Sequence, residues 1–286
     1  MYSKIVAGTD LSKTAKHATD RAAWLAKALG AELVLVHAGR DPGEPLRALG
    51  AEYGAEVVAV EGPPADVLIA ETDRLGAGLL VVGSVGMSGA RRFLLGSVPN
   101  KVSHHASTDL LIVKTDPPPK ALEPYGKVLV GTDGSVTAMR AVDMASKLAA
   151  RLGIRPTIVT VYEKLSEQEL ERLRADPNDA IAQWNAAPLA KETPEEFRWR
   201  IASAAQAEDV LERAADRAAA QGVDAETRAL QGYPADVLLE LAETEGFDLI
   251  VVGSVGMAGA KRLMLGNVPH RISHHAPTDV LILHTT

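Results

Sequence analysis

The sequence predicts an α/β protein made of two tandem domains, each an open parallel sheet with helices on both faces. Three observations predict this class. Two long stretches of the chain occur twice. Strand-like and helix-like patterns alternate within each copy, as in parallel sheets. The strands are continuous apolar runs, as expected for strands that are covered on both faces. The length of 286 residues also suits about two domains.

The duplication is visible by direct alignment. "KIVAGTDLSKTA" from Lys4 recurs from Lys127 as "KVLVGTDGSVTA", an offset of 123. "GPPADVLIAETDRLGAGLLVVGS" from Gly62 recurs from Gly232 as "GYPADVLLELAETEGFDLIVVGS", an offset of 170. From Gly83 to Thr115, 21 of 33 residues are identical to the second copy. Because 170 − 123 = 47, the second copy carries about 47 extra residues in its middle.

These offsets set the expected domain boundaries. We expect domain 1 over residues 1–116, a proline-rich linker over 117–124, and domain 2 over 125–286. A helical insertion is expected at about residues 163–205, with a long helix from about Pro194 to Gln221. Trp184 and Trp199 fall there and suggest packing against another surface.

The elements of the first copy follow in order. "KIVAG" is a short buried strand ending at Gly8, after which Ser12 is the expected N-cap of a helix that Gly30 closes. The crossover from strand two to strand three leaves room for only a turn or two of helix. Ser97 is the expected N-cap of the last helix. The remaining strands of this copy are "ELVLVHA", "AEVVAV", "GLLVVG" and "DLLIVK". The second copy repeats this order from Lys127, and its later strands are "TIVTV", "DAETRAL", "DLIVVG" and "DVLIL".

Composition excludes several kinds of function. The chain has no cysteine, so disulfides, thiolate catalysis and cysteine-ligated metal sites are excluded. A net charge of −7 argues against non-specific nucleic-acid binding. No apolar run approaches the roughly 20 residues of a membrane span, and the N-terminus lacks an apolar signal core. We therefore expect a cytoplasmic protein without nucleic-acid or membrane partners.

A glycine-spaced loop follows the fourth strand of each copy. In the first copy it has the spacing G-x2-G-x9-G-S, from Gly83 through Gly86 and Gly96 to Ser97. Glycines let backbone N–H groups approach an anion and adopt positive φ, and a following helix N-terminus favours phosphate. Arg91 and Arg92 add positive charge. In open parallel sheets, ligands bind at the carboxyl ends of the strands, where Asp10 also lies.

With these motifs in order and present twice, the chain resembles the universal stress protein family in its tandem two-domain form. The resemblance rests on G-x2-G-x9-G-[ST], on "GTDxS" after strand one and on "HHAxTDxLI" near the end of each copy. It covers nearly the whole chain apart from the linker and the insertion. It implies five-stranded parallel sheets of order 3-2-1-4-5, which places strands one and four side by side.

The resemblance also implies that ATP, with Mg²⁺, binds across the strand-one/strand-four crevice of each domain. The site residues that it implies in domain 1 are Asp10, Ala38, Gly83, Gly86, Gly96 and Ser97. The matching residues in domain 2 are Asp133, Val161, Gly253, Gly256, Gly266 and Asn267. Asn267 departs from the family pattern, which requires serine or threonine. The resemblance further implies pairing through strand five, either in a homodimer or between the two domains of one chain.

No catalytic residue is evident from the sequence. His104, His105, His274 and His275 lie late in their helices, and adjacent helical residues point about 100° apart, so we interpret them as structural. Three hypotheses stay open. The first is an ATP-binding stress-response module with little or no hydrolysis. The second is a slow ATPase or nucleotidyl-transfer enzyme, and the third is a nucleotide-independent, chaperone-like interaction protein.

Overall fold

A computed structural model of the chain describes residues 1–85, 95–115, 124–162, 204–255 and 265–284. Along these residues two units of alternating strands and helices follow one another. The first comprises β1 (Lys4–Gly8), α1 (Lys13–Leu29), β2 (Glu32–Ala38), α2 (Glu44–Tyr53), β3 (Glu56–Val60), α3 (Pro64–Arg74), β4 (Leu79–Gly83), α4 (Ser97–His105) and β5 (Asp109–Val113). The second comprises β6 (Val128–Gly131), α5 (Val136–Leu152), β7 (Thr157–Tyr162), α6 (Ala204–Ala220), β8 (Glu226–Gln231), α7 (Pro234–Glu245), β9 (Leu249–Gly253), α8 (Asn267–His275) and β10 (Asp279–Leu283).

The described strands form one ten-stranded sheet in the order β3-β2-β1-β4-β5-β10-β9-β6-β7-β8. Pairing is parallel within each unit. Each unit therefore has the order 3-2-1-4-5, as predicted. The two units meet where β5 and β10 pair antiparallel, with Leu111 opposite Leu281.

Helices cover both faces of the sheet, which confirms the predicted α/β class. One buried apolar layer joins the sheet to α1 and α5, with Ala22 and Val142 fully buried in it. The other joins the sheet to the helices on the opposite face, through residues such as Leu68 of α3 and Ile272 of α8. Because both faces are covered, the central strands are apolar throughout.

The first helix of each unit begins and ends as the sequence predicts. The Ser12 hydroxyl accepts a hydrogen bond from the Ala15 N–H, and Gly30 ends the helix at φ 68°. Ser135 and Gly153 play the same parts in the second unit. A serine cap and a left-handed glycine satisfy the polar groups that each helix end leaves without a partner.

Two local expectations are wrong. The helix α2 has ten residues, nearly three turns, rather than a turn or two. It takes up most of the crossover because Gly43, at φ 72°, lets the chain enter the helix abruptly. Ser97 is not the N-cap of α4: Gly96 holds that position and Ser97 is the first helical residue, with no capping hydrogen bond.

A buried carboxylate at the start of each fifth strand connects the two units. Asp279 of the second unit accepts hydrogen bonds from the Lys114 N–H at 2.9 Å and from the Tyr125 hydroxyl at 2.8 Å. Its other contact is an ion pair with Arg21 of α1, Nε to Oδ2 at 3.3 Å. The pKa of Asp279 is raised by its burial, against the opposing effect of Arg21.

Asp109 forms the equivalent arrangement in the first unit. It accepts hydrogen bonds from the Tyr2 hydroxyl at 3.0 Å and from the His284 N–H at 2.9 Å, and it pairs with Arg140 of α5 at 3.4 Å. Burial raises the pKa of this carboxyl as well. The units are thus joined by two pseudo-symmetric polar networks in addition to strand pairing.

Histidines of both copies lie at this junction too. The ring centroids of His104 and His270 are 5.5 Å apart, and those of His270 and His274 are 4.5 Å apart. His274 Nε2 lies 3.3 Å from Asn100 Oδ1 across the junction. This packing agrees with the interpretation of His104 and His274 as structural residues.

Candidate functional site

The carboxyl ends of β1 and β4 lie side by side at the point where the strand order reverses. Ala7 pairs with Val81, so the next residues bring Thr9 opposite Gly83. In the second unit Val130 pairs with Val251, which brings Thr132 opposite Gly253. This is the edge at which open parallel sheets bind ligands.

Asp10 lies in the loop between β1 and α1. Its Oδ1 accepts a hydrogen bond from the Ser12 N–H at 3.0 Å, and the Thr9 hydroxyl oxygen accepts one from the Leu11 N–H at 3.1 Å. Leu11 has a φ of 62°, uncommon for a residue with a side chain. Asp10 therefore shapes the loop, while Ser12 caps the helix.

Asp133 holds the matching loop of the second unit in the same way. Its Oδ1 accepts from the Ser135 N–H at 2.9 Å, and the Thr132 hydroxyl oxygen accepts from the Gly134 N–H at 3.2 Å. Gly134, at φ 81°, stands where the first unit has Leu11. Glycine adopts this conformation without steric cost.

Ala38 and Val161 lie at the carboxyl ends of the neighbouring strands. Gly8 pairs with Val36, so that Asp10 follows in register beside Ala38, the last residue of β2. Gly131 pairs with Val159, which brings Asp133 beside Val161 near the end of β7. The structure therefore brings both predicted pairs together at the same edge.

The described glycines of the loop flank the crevice in both units. Gly83 ends β4, and the Gly96 N–H donates to the Ser84 carbonyl at 2.8 Å, which holds the start of α4 beside the end of the strand. Gly253 and Gly266 repeat the arrangement through Ser254. Ser97 and Asn267, both exposed, are the first residues of α4 and α8.

None of the four described loop glycines uses the positive φ that glycine permits. Gly96 and Gly266 have φ of −63° and −66°, and Gly83 and Gly253 are not among the residues with positive φ. At Gly253 the reason for glycine is space: a Cβ there would lie 2.8 Å from the Thr137 carbonyl carbon.

Several predicted residues lie outside the described part of the chain. These are Gly86 and Gly256 of the glycine loops, Arg91 and Arg92 beside the first loop, and Trp184 and Trp199 of the insertion. The start of the predicted insertion helix near Pro194 also lies outside, whereas α6 from Ala204 to Ala220 corresponds to its later part.

The first turns of α4 and α8 give the crevice its electrostatic character. Backbone N–H groups in the first turn of a helix have no intrahelical acceptor and carry a partial positive charge. Lys13 of α1 is exposed beside the Asp10 loop. Among the described residues no group of three or more histidine, aspartate or glutamate side chains could hold a metal ion.

Comparison with known proteins identifies the family of this chain. The sequence model of the universal stress protein family matches residues 1–54, 45–114 and 124–284. The chain belongs to the universal stress protein family. Its two units correspond to the tandem form of that family.

Curated universal stress proteins are similar to part of the chain. Universal stress protein Rv1636 of Mycobacterium tuberculosis is 35% identical over 163 residues, which is 57% of this chain and 98% of the relative. Universal stress protein YxiE of Bacillus subtilis is 34% identical over 161 residues, 56% of this chain and 99% of the relative. Each match therefore spans nearly the whole relative and a little more than half of this chain.

Two solved structures span both units. A universal stress protein from Archaeoglobus fulgidus covers 99% of this chain with 98% of its own, at 17% identity and a TM-score of 0.63. A putative universal stress protein from Pseudomonas aeruginosa covers 99% of this chain with 93% of its own, at 17% identity and a TM-score of 0.64. These similarities support the fold.

No helix in the described part of the chain is both long and apolar enough to cross a bilayer.

Proposed function

We propose that this universal stress protein binds ATP at the strand-one/strand-four crevice of each unit and hydrolyses it slowly or not at all. The observation that carries the proposal is a juxtaposition found in both units. An aspartate loop at the end of one strand lies beside a glycine-ended strand that leads to a helix N-terminus, at the switch point of the sheet.

Each part of the crevice suits one part of the nucleotide. Asp10 and Asp133 present carboxylates for hydroxyl groups of the nucleoside, with the strand ends at Ala38 and Val161 beside the adenine. Gly83, Gly96 and Ser97 would hold the ribose and phosphates in the first unit, together with Gly86. Gly253, Gly266 and Asn267 would do so in the second, together with Gly256. A helix N-terminus is a favourable place for phosphate.

Mg²⁺ would accompany ATP. The ion would be held chiefly by phosphate oxygens and water, as is common for Mg²⁺. The metal would neutralise phosphate charge, while the chain itself would orient the nucleotide.

The proposal favours a binding module over an enzyme because hydrolysis requires a positioned water and stabilisation of charge at the γ-phosphate. The aspartate that the described residues place at each crevice already holds its own loop. A slow ATPase or nucleotidyl-transfer activity, or a nucleotide-independent chaperone-like role, would be the alternatives.

We further propose the arrangement of the whole chain. Domain 1 spans residues 1–116 and domain 2 spans 125–286, with the linker at 117–124 between them and an insertion at about 163–205. Pairing of the strand-five edges within one chain would take the place of pairing between two chains. We place the protein in the cytoplasm, with ATP rather than nucleic acid or membrane as its partner.

Mass spectrometry of freshly purified, denatured protein tests the proposal, followed by calorimetric titration of the nucleotide-free chain with ATP. Near two ATP molecules per chain are expected. Asp10→Asn should weaken binding at one site by about ten- to hundredfold, since hydrogen bonds to charged groups contribute about 1.5–3 kcal/mol. Asp224→Asn, at the opposite edge of the sheet, is the matched control.

No released nucleotide and no ATP binding in the millimolar range would contradict the proposal and favour the interaction protein. Turnover that Asp10→Asn abolishes while binding persists would favour the enzyme.

A further inference from the structure

The two crevices differ in a short stretch that is otherwise duplicated. "GTDLSKTA" of the first unit and "GTDGSVTA" of the second differ only at Leu11, which becomes Gly134, and at Lys13, which becomes Val136. The first change lies in the loop that holds the aspartate, and the second lies at the first residue of the helix that follows this loop. They remove a bulky side chain and a cation from the second crevice.

The helix α6 explains the first change. By the offset of 170 residues, α2 (Glu44–Tyr53) corresponds to residues 214–223, but α6 begins ten residues earlier, at Ala204. The extension carries Val210 and Arg213 to the loop. A Cβ on Gly134 would lie 2.9 Å from Val210 Cγ2 and 3.2 Å from an Arg213 terminal nitrogen. Glycine there leaves the space that the extension occupies.

The second change concerns charge. Lys13 is the first residue of α1 and is exposed, although a cation at a helix N-terminus opposes the helix dipole. An anion bound beside it would remove that cost. Val136 holds the equivalent place and is 76% exposed, so this position supplies no charge to the second crevice. Arg213 supplies a cation there from another element.

Resting on the function proposed above, we propose that Arg213 is the cationic phosphate-binding side chain of the second crevice and replaces Lys13 of the first. Its guanidinium pairs with Asp209 at 3.2 Å, and the two side chains are 53% and 39% exposed. Exposed pairs of this kind contribute little, so a polyphosphate can compete for the arginine. Arg217, which donates to both carboxylate oxygens of Asp143 at 2.8 and 2.7 Å, fixes α6 against α5.

Labelling the full chain with 2-azido-ATP, followed by peptide mapping, tests the assignment because it reports each unit separately. Arg213→Gln should raise the ATP concentration needed to protect the second unit from labelling by about tenfold and leave the first unchanged. Lys13→Gln should do the reverse. Protection by AMP should change less, because AMP has fewer phosphates. Arg151→Gln, an exposed arginine in the last turn of α5 at the opposite edge, is the matched control.

The decisive experiment moves the positive charge of the second crevice from position 213 to position 136. Val136→Lys added to Arg213→Gln should restore most of the lost affinity, since it places a cation where the first unit has one. If the second unit is labelled but Arg213→Gln has no effect, or if Val136→Lys restores nothing, this inference is overturned and ATP binding stands. If neither unit of the unaltered chain is labelled, the proposed function fails together with it.

Discussion

Asp10 and Asp133 each hold the loop that follows the first strand of their unit, at the edge of the proposed nucleotide crevice. Each carboxylate accepts a backbone N–H two residues ahead, at 3.0 and 2.9 Å, while a serine caps the following helix. The N-cap of α1 is Ser12, as the sequence predicts. Asp10 therefore does not cap the helix and lies at the edge of the crevice.

The lowered pKa values of two histidines at the junction predict how the stability of the folded chain depends on pH. Burial, together with His270, His275, Lys114 and His104, lowers the pKa of His274 to about 4. Burial also lowers the pKa of His284 to about 4, with a further contribution from Arg140 and opposition from the Ser103 and Thr108 carbonyls. An unfolded histidine titrates near 6.5.

The unfolded chain therefore binds more protons than the folded one between about pH 6.5 and pH 4, and these residues make the folded state less stable as the pH falls through that window. Urea unfolding at pH 7, 6 and 5 measures this effect. The double variant His274→Gln, His284→Gln should lose less stability than the parent over that range. Asp109 and Asp279, whose pKa values are raised, act in the opposite direction and are common to both proteins. The prediction would be contradicted if the free energy of unfolding fell equally with pH in the parent and in the double variant.

At the scale of elements, equivalent glycines of the two units differ in how much space a side chain would have. Both Gly83 and Gly253 end a fourth strand and open the proposed phosphate loop. Among the described residues, the atom nearest to a Cβ on Gly83 would be the Val85 carbonyl oxygen at 3.5 Å, whereas a Cβ on Gly253 would lie 2.8 to 2.9 Å from atoms of Thr137 and Ala138. The start of α5 thus packs more closely on its strand than α1 does.

The pair Gly253→Ala and Gly83→Ala separates these reasons. Gly253→Ala should lower the free energy of unfolding by about 1–3 kcal/mol, because overpacking moves the backbone of α5. Gly83→Ala should change it by less than about 0.5 kcal/mol, as most substitutions without a steric conflict do. Chemical denaturation measures both. Similar losses in the two variants would show that packing against α5 is not the difference.

The extension of α6 is the other element that tertiary structure explains. The sequence predicts a long helix in the second unit, yet it does not show where that helix packs. The ion pair of Arg217 with Asp143 fixes α6 against α5. Because Gly134 has no side chain, the N-terminal part of α6 can pack against the loop at the crevice. The contrast between Leu11 and Gly134 was visible from the alignment, but its meaning required the position of Arg213.

At the scale of the whole molecule, two pseudo-symmetric carboxylates join the units. Asp279 is 3% exposed and is contacted by Arg21, Tyr125 and the Lys114 backbone. Arg21 also lies 4.2 Å from the centre of the Tyr125 ring, and Trp24 meets that ring edge-on at 5.3 Å. The first helix of one unit is thereby packed on the other.

Asp279→Ala should destabilise the chain by about 3–5 kcal/mol, because it leaves the buried Arg21 without its carboxylate. Asp279→Asn should cost less, since the amide oxygen still accepts hydrogen bonds. Asp73→Ala, an exposed carboxylate near the end of α3, serves as the control. Thermal and urea unfolding give the values, and a loss no larger than that of Asp73→Ala would refute the role assigned to Asp279.

The sequence by itself determined the duplication, the α/β class and most strands and helices, because apolar runs, caps and closing glycines are local signals. A family pattern supplied the strand order that the structure then bore out. Local patterns failed at Ser97 and α2, where the backbone path through Gly96 and Gly43 decides which residue begins the helix.

Only the tertiary structure decided what lies against what. The buried carboxylates at the junction, the space that Gly253 keeps for α5 and the approach of Arg213 to Gly134 each join residues far apart in the chain. Such contacts depend on how elements pack in three dimensions, and a single sequence without its fold carries no record of those distances.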